Sequence, residues 1–340
     1  MQINKEELKK ALEIVKPGLA NKEIIEQSTS FAFMKDKVVT YNDEISISHP
    51  ISGLNITGAL KAEELYQLIS KTKKDEIEII QKDNQIILQS GRSKAGLILQ
   101  TDIKLPLEEI GEIEKWKTLP ENFSKAVKFV SVAAGTDMSK PVLTCIHIDK
   151  SGYVEASDGF RIVKYENIKI PVNTFLIPAS SARELIKLNP TKIAEGQEGG
   201  WIHFQTNEGT IISCRVFEDK FPDTSELFKV EGVSLTMPAI VSEIIDRAIV
   251  FSKRDHSFDE RVSIVIQNNK IKISAKSETG SWFEEDANMR FKDDSISFTI
   301  TPYLLQDILK ETSSFVINEN MMKFEGADWL YVTALCEKSE

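Results

Sequence analysis

The sequence has few of the features that usually carry chemistry. Its three cysteines, Cys145, Cys214 and Cys336, stand far apart, odd in number and without a Cys-x-x-Cys pair. That argues against a disulfide framework or a zinc knuckle, and fits small buried side chains in a reducing compartment. The four histidines, His49, His147, His203 and His256, are isolated, with no metal-ligand spacing among them. No glycine-rich phosphate loop occurs, and Gly152 and the Gly199-Gly200 pair read as turns. No apolar run approaches the length of a membrane span, and residues 1–10 are too charged for a secretory signal. The expectation is a cytoplasmic protein with no metal, no cofactor and no membrane contact.

A catalytic constellation is missing as well. Ser157-Asp158-Gly159 is the nearest approach to a nucleophile turn, but it has no nearby base and matches no Gly-x-Ser-x-Gly elbow. It reads as a tight turn between strands. A hydrolase built around Asp158 stays open as an alternative, as does a repeat scaffold with no activity of its own. The former needs a base that the sequence does not supply.

What is present is repetition. The chain has 340 residues, 41% of them hydrophobic, enough for ordinary globular cores. Three times, at a spacing of about 115 residues, an amphipathic helix leads into alternating strands, then a second helix and more strands. The helices are expected over 6–15 and 62–70, 122–133 and 180–188, and 239–251 and 303–309. In the first, Leu8, Ala11, Leu12 and Val15 share a face and Pro17-Gly18 ends the run. The repeats divide the chain into three α+β domains, 1–115, 116–228 and 229–340, each with two helices covering a sheet face.

The net charge is −10 and the isoelectric point near 5.2, which weighs against a protein that coats itself in nucleic acid. Global charge does not describe segregation, however. Lys5, Lys9 and Lys16 fall in one sector of the first helix, and Lys71, Lys73 and Lys74 close the second. Lys125 and Lys128 lie opposite the apolar stripe of the third helix; Arg183 and Lys187 do the same on the fourth. Arg247 and Arg254 recur seven residues apart, nearer an apolar edge. A solvated helix normally carries lysines. Their recurrence across copies, with acid on strands and loops, is the footprint of a basic lining inside an acidic shell.

Several segments resemble one family. Lys140-Pro141-Val142-Leu143, then Glu155-Ala156-Ser157-Asp158-Gly159-Phe160-Arg161-Ile162-Val163, are similar to the middle domain of the bacterial DNA polymerase III β sliding clamps. That family shows Arg/Lys-Pro-x-Leu followed by Ala-Thr-Asp-Gly-His-Arg-Leu. Residues 175–178, 221–223, 245–252 and 298–309 also look like clamp segments, in order along the whole chain. The resemblance implies three tandem DNA-clamp domains, each with two helices packed on antiparallel sheets, forming half of a closed ring. It implies a non-catalytic processivity factor that encircles duplex DNA as a head-to-tail homodimer and tethers the replicative polymerase. A count of helices agrees: six at ~10 Å spacing close a hole of about 9 Å, twelve one of about 28 Å, and only the latter admits a duplex.

The family's partners, polymerase and clamp loader among them, dock short peptides in an apolar cleft. Carried over, that cleft comprises Leu143, Ser157, Gly159, Phe160, Arg161, Ile162, Pro222, Leu227, Val332, Ala334 and Leu335. Val250 and Phe251 match the family's apolar dimer patch, with Leu97 or Leu99 as candidates for the opposing side. The sequence departs from the family in three places. Phe160 replaces a usual His, Glu226 stands where a basic residue is common, and the end, from Ala334 to Glu340, lacks a Met-Pro-x-Arg-Leu-like tail.

Overall fold

The structure is a computed structural model and describes residues 1–113, 115–197, 199–291 and 294–336; the tail at 337–340 lies outside the described residues. The first third begins with β1 (Gln2–Asn4) and α1 (Lys5–Val15). The Asn4 side chain accepts the N–H groups of Glu6 at 2.9 Å and Glu7 at 3.3 Å, closing the open helix end, and both glutamates favour its positive pole. Leu8, Ala11, Leu12 and Val15 are buried. Pro17, which has no N–H to continue the helix, sits in a 3-10 turn at Lys16–Gly18. There follow β2 (Ser30–Lys35), β3 (Lys37–Tyr41), β4 (Ile45–Pro50), β5 (Ile56–Lys61), α2 (Ala62–Lys71), β6 (Glu76–Lys82), β7 (Gln85–Ser90) and β8 (Ser93–Ile98).

The middle third has β9 (Lys117–Thr118), α3 (Phe123–Val130), β10 (Cys145–Asp149), β11 (Tyr153–Ser157), β12 (Arg161–Tyr165), β13 (Phe175–Pro178), α4 (Ala179–Lys187), β14 (Lys192–Glu195), β15 (Trp201–Gln205) and β16 (Ile211–Arg215). The last has β17 (Val233–Thr236), α5 (Val241–Ser252), β18 (Val262–Gln267), β19 (Lys270–Lys276), β20 (Trp282–Asn288), β21 (Ile296–Ile300), α6 (Pro302–Ile308), β22 (Ser314–Ile317), β23 (Met321–Glu325) and β24 (Trp329–Ala334). Two helices thus fall in each third of the sequence, as the periodicity predicts. The helix expected over 122–133 is α-helical only to Val130, its last turn tightening into a 3-10 turn at Ser131–Ala133.

By compactness the chain forms two units that cut across the middle repeat. Unit 1 comprises Met1–Lys128, Cys145–Ser151 and Lys169–Asp219. It holds a four-stranded sheet in the order β1-β6-β7-β8, an eight-stranded sheet in the order β5-β2-β3-β4-β16-β15-β14-β9, and the pair β10-β13. The eight-stranded sheet is antiparallel throughout. It joins strands of the first and middle thirds through β4 and β16, where Ser46 faces Ser213 and Ile47 faces Ile212. Unit 2 comprises Phe129–Thr144, Gly152–Ile168 and Lys220–Glu340. Its strands run β11-β12-β24-β23-β22-β17 and, separately, β20-β19-β18-β21. Here β12 meets β24, pairing Ile162 with Val332. The β18–β19 hairpin turns on Asn268 and Asn269, both at positive φ (52° and 59°), a two-residue turn that asparagine tolerates better than most residues.

Candidate functional site

Within unit 2 the hairpin from β11 to β12 turns sharply at Ser157–Arg161. Asp158 accepts the N–H groups of Phe160 and Arg161, each at 2.9 Å, Ser157 Oγ accepts the Gly159 N–H at 3.1 Å, and Gly159 sits at φ +90°. The turn is thus as tight as the sequence suggests. It brings Ser157, Gly159, Phe160, Arg161 and Ile162 to the wall of one cavity of about 80 Å³. The cavity's other wall carries Val332 and Ala334 from β24, Leu227 from a 3-10 turn at Ser225–Phe228, and Met321 from β23. Eight of the eleven residues carried over for the cleft therefore meet. Leu143 lies beside them, its side chain within 3.9 Å of where a Gly159 Cβ would stand. Pro222 and Leu335 do not line the cavity. Met321 is a wall residue that the sequence reading missed. Beneath the opening Ile162, Val332 and Val230 form a buried cluster, with Phe228, Val316 and Met321 packed against it.

Arg161 anchors this site from below. Its guanidinium donates to Asp158 at 3.1 Å, Asp307 at 2.7 Å, the Tyr331 hydroxyl at 3.4 Å and the Val132 carbonyl, and faces the Tyr303 ring at 5.1 Å. Burial alone disfavours its charge. Tyr331, Asp307 and Asp158 outweigh that, and the group stays protonated. Tyr331 is pushed up by burial and donates to the Leu304 carbonyl at 2.7 Å. Asp307, Tyr303 and Leu304 lie on α6, so one side chain ties β12, β24, α6 and the turn after α3 together.

Strand register identifies a second copy of this arrangement in unit 1, and it is full. Across β11, β12 and β24 the row runs Ser157, Ile162, Val332; across β3, β4 and β16 it runs Tyr41, Ser46, Ser213. Where β23 and β24 pair Met321 with Ala334, β15 and β16 pair Trp201 with Arg215. Small serines thus replace Ile162 and Val332, and large rings fill the space. Tyr41 and Trp201 pack with centroids 5.9 Å apart, and Arg215 lies 4.7 Å from the Trp201 ring while donating to Tyr41 and Asp43 at 3.0 and 2.6 Å. Trp201, Tyr41, Leu105 and Ala32 form a buried cluster closed by Leu107 and Ile110 of the 3-10 turn Leu107–Ile110. Next along the same row, His203 bonds Ser213 through Nδ1 at 2.9 Å and leaves Nε2 buried without a partner; burial holds its pKa down to about 4.

The basic side chains divide into two groups. Lys125 and Lys128 are exposed on α3, the one described helix that carries no carboxylate, opposite buried Phe123, Ala126, Val127 and Val130. Arg183 and Lys187 are exposed on α4, Lys187 pairing with Glu184 at 2.7 Å. On α1, Lys5 and Lys9 pair with Glu6 at 2.7 Å and Glu13 at 3.7 Å, and Lys16 lies 4.4 Å from the Tyr66 ring centroid. Lys71, Lys73 and Lys74 are exposed at the end of α2. Arg247 and Arg254 are engaged within the chain. Arg247 makes a two-pronged bond to Glu285, 2.9 Å on each arm, and Arg254 donates to the carbonyls of Ser252, Lys253 and Lys276 at the end of α5. Glu285, Glu243 and Asp246 all lie close enough to Arg247 to favour its charge.

The expectation for Leu97 and Leu99 is corrected. Both are buried, and the strand alternation turns Ile98 outward instead, 64% exposed. Val250 is 69% exposed, and Phe251 stacks on Phe283 of β20 at 5.8 Å. An open groove of about 670 Å³ runs along β17, but its lining mixes hydroxyls, main chain, Arg290, Lys323 and Glu325 and has no residue that the sequence singles out.

No protein-family profile matches the sequence. The β sliding clamp of Streptococcus pneumoniae is 25% identical over 345 aligned positions, covering 92% of this chain and 89% of that protein. That of Streptomyces coelicolor is 25% identical over 62% of this chain. Among solved structures, a DNA polymerase sliding clamp from Pseudomonas aeruginosa superimposes with a TM-score of 0.85 at 17% identity, covering 99% of both chains. The polymerase III β chain of Streptococcus pneumoniae gives 0.84 at 19% identity, also over 99% of both. The chain is thus similar along nearly its whole length to the bacterial β sliding clamps, and has their fold.

Proposed function

We propose that the chain is a sliding clamp: two copies join head to tail in a ring around duplex DNA and hold a polymerase, docked through a short peptide, at its template. It catalyses nothing itself, and acts in the cytoplasm with a loader that opens the ring. Each copy contributes three domains, 1–115, 116–228 and 229–340. The observation that carries the reading is the convergence of the residues marked in the sequence on one apolar cavity, within a chain that is clamp-like along nearly its whole length. Lys5, Lys9, Lys16, Lys71, Lys73, Lys74, Lys125, Lys128, Arg183, Lys187, Arg247 and Arg254 supply weak contacts to phosphates, which hold DNA without reading its sequence. Tethering then raises the local concentration of the polymerase at the primer end.

Sheet architecture supports the pairing of copies. In unit 1 the first and middle thirds join strand to strand, β4 to β16. Among the described residues, β8 and β20 are edge strands of their four-stranded sheets. Ile98 on β8 and Trp282 on β20 are exposed, and Val250 and Phe251 lie on α5, which packs against β20. Glu284, Glu285 and Asp286 of β20 already pair with Lys272, Arg247 and Lys270 of the same chain, so it is the unpaired backbone that suits β8 of one copy to β20 of another.

Retention on DNA tests the ring. Loaded onto nicked circular plasmid by its cognate loader, the protein is expected to co-elute with the circle and to be lost when one restriction cut makes the DNA linear. Equal retention on the linear product would reject encirclement.

A further inference from the structure

Among the described residues β17 is the last strand of its sheet, paired to β22 on one side. Gly232 lets the chain come in against β22, since an added Cβ would collide with the Ile317 carbonyl. Register then fixes which backbone groups of β17 are left over. The Met237 N–H donates to the Ser313 carbonyl at 2.9 Å, so Met237, Leu235 and Val233 turn their N–H and C=O groups toward β22. Ser234 and Thr236 alternate with them and turn theirs outward, two donors and two acceptors along an open edge. Edge strands are commonly guarded by lysine, proline or an inward charge, and Val-Ser-Leu-Thr has none of these.

Along this edge lies the groove of about 670 Å³, within the usual size of a ligand site. Asn288, Met289 and Arg290, at the end of β20, line it as well. The backbone is pinned on either side of Arg290. The Met289 N–H donates to the Asn269 carbonyl at 2.9 Å, and the Phe291 N–H to the Asn269 side chain at 3.1 Å. Arg290 itself is exposed and pairs with no carboxylate among the described residues. Lys323 and Glu325 pair with each other at 3.1 Å, so Arg290 is the unbalanced charge of the lining. Buried Met237, Met289 and Phe315 supply its apolar part.

We infer that this groove binds an extended acidic segment of a partner protein, which adds a strand to β17 and sets a carboxylate against Arg290. Two features select that occupant. An open edge is satisfied by another strand, which brings the acceptors and donors that Ser234 and Thr236 lack. An arginine fork takes a carboxylate through two parallel hydrogen bonds. A helix would leave the edge unpaired, and a basic strand would meet Arg290 with like charge. The inference stands apart from the cleft and from the ring.

A fluorescein-labelled peptide, Thr-Val-Glu-Val-Glu-Thr, and its counterpart with Lys for Glu test it by anisotropy against the full chain at low salt. The acidic peptide is expected to bind about tenfold more tightly or better, and Arg290→Gln to weaken it about tenfold. Ser234→Pro removes one outward N–H and no bond to β22, a change that edge strands tolerate, and should weaken the acidic peptide to a similar degree. Neither variant touches a contact of the folded chain, so both should keep its thermal midpoint. Hydrogen exchange should show the peptide slowing the Ser234 and Thr236 amides. Failure of the acidic peptide to bind at millimolar concentration would overturn the inference, as would protection on 157–162 and 225–228 instead. An Arg290 effect with Ser234→Pro silent would mean a charge contact without strand addition, and overturn it equally. Assembly of the unmodified chain beyond a dimer, abolished by Ser234→Pro, would give the edge to a further copy of this chain and reject an acidic partner.

Discussion

His203 enters the fold as a neutral imidazole, one nitrogen bonded to Ser213 and the other buried alone. Unfolded, the ring takes a proton near pH 6.5; folded, only near 4. Its effect on stability is therefore absent above pH 6.5. As the pH falls to about 4 the unfolded chain binds the proton first, and stability drops by at most about 1.4 kcal/mol per pH unit, with no further change below. His49, also pushed down by burial, acts with the same sign. His203→Gln keeps a partner for Ser213 and cannot charge, so its urea midpoint should fall less than that of the unmodified protein between pH 7 and 4.5. Parallel declines would show that the ring does not report on folding. Arg161 sets a different liability. Arg161→Met leaves the carboxylate of Asp158, 6% exposed, and that of Asp307 without their cation. The expected loss is about 3–5 kcal/mol by urea denaturation. Arg161→Lys, which keeps charge but not the fork, should lose less.

Among the elements, α3 is the cleanest test of DNA contact, because it bears Lys125 and Lys128 and no carboxylate. Replacing both with Glu should lower the slope of log affinity against log salt by roughly 0.9 for each phosphate that the helix no longer neutralises. An unchanged slope would take α3 out of the DNA-facing surface. The helices were legible because each buries a stripe at helical spacing, and the interrupted repeat declared three similar thirds. Short strands were not. β5 contains Gly58 at φ +137°, where an ideal Cβ would stand 2.6 Å from the Gln100 carbonyl, so a residue that reads as loop marks a close approach of backbones. β14 and β17 have four residues each, too few for an alternation to be counted. At the end of β8, Leu97, Ile98 and Leu99 are consecutive apolar residues, and such a run does not say which of them faces in. The cleft was legible through a motif, whereas Phe258, Tyr303 and Asp307 were not connected to it, since only the fold brings residues some 100 to 150 positions away against the 157–161 turn.

For the whole molecule, the proposed pairing of β8 with β20 predicts where the assembly breaks. Ile98→Glu or Phe251→Asp should shift the species seen by sedimentation at micromolar concentration from dimer to monomer. Ile98 already faces solvent, so Ile98→Glu is expected to leave the unfolding of the single chain nearly unchanged. A monomer in the unmodified protein would remove ring closure. The duplicated arrangement in unit 1 bears on the number of tenants. Trp201 and Tyr41 occupy from within the position that Ile162, Val332 and Met321 leave open to a visitor in unit 2. If the cleft docks partners as proposed, each chain offers one such berth among its described residues and a ring of two chains offers two. One guest would then stay moored while a second ties up beside it, so an exchange of partners need not pass through an empty vessel.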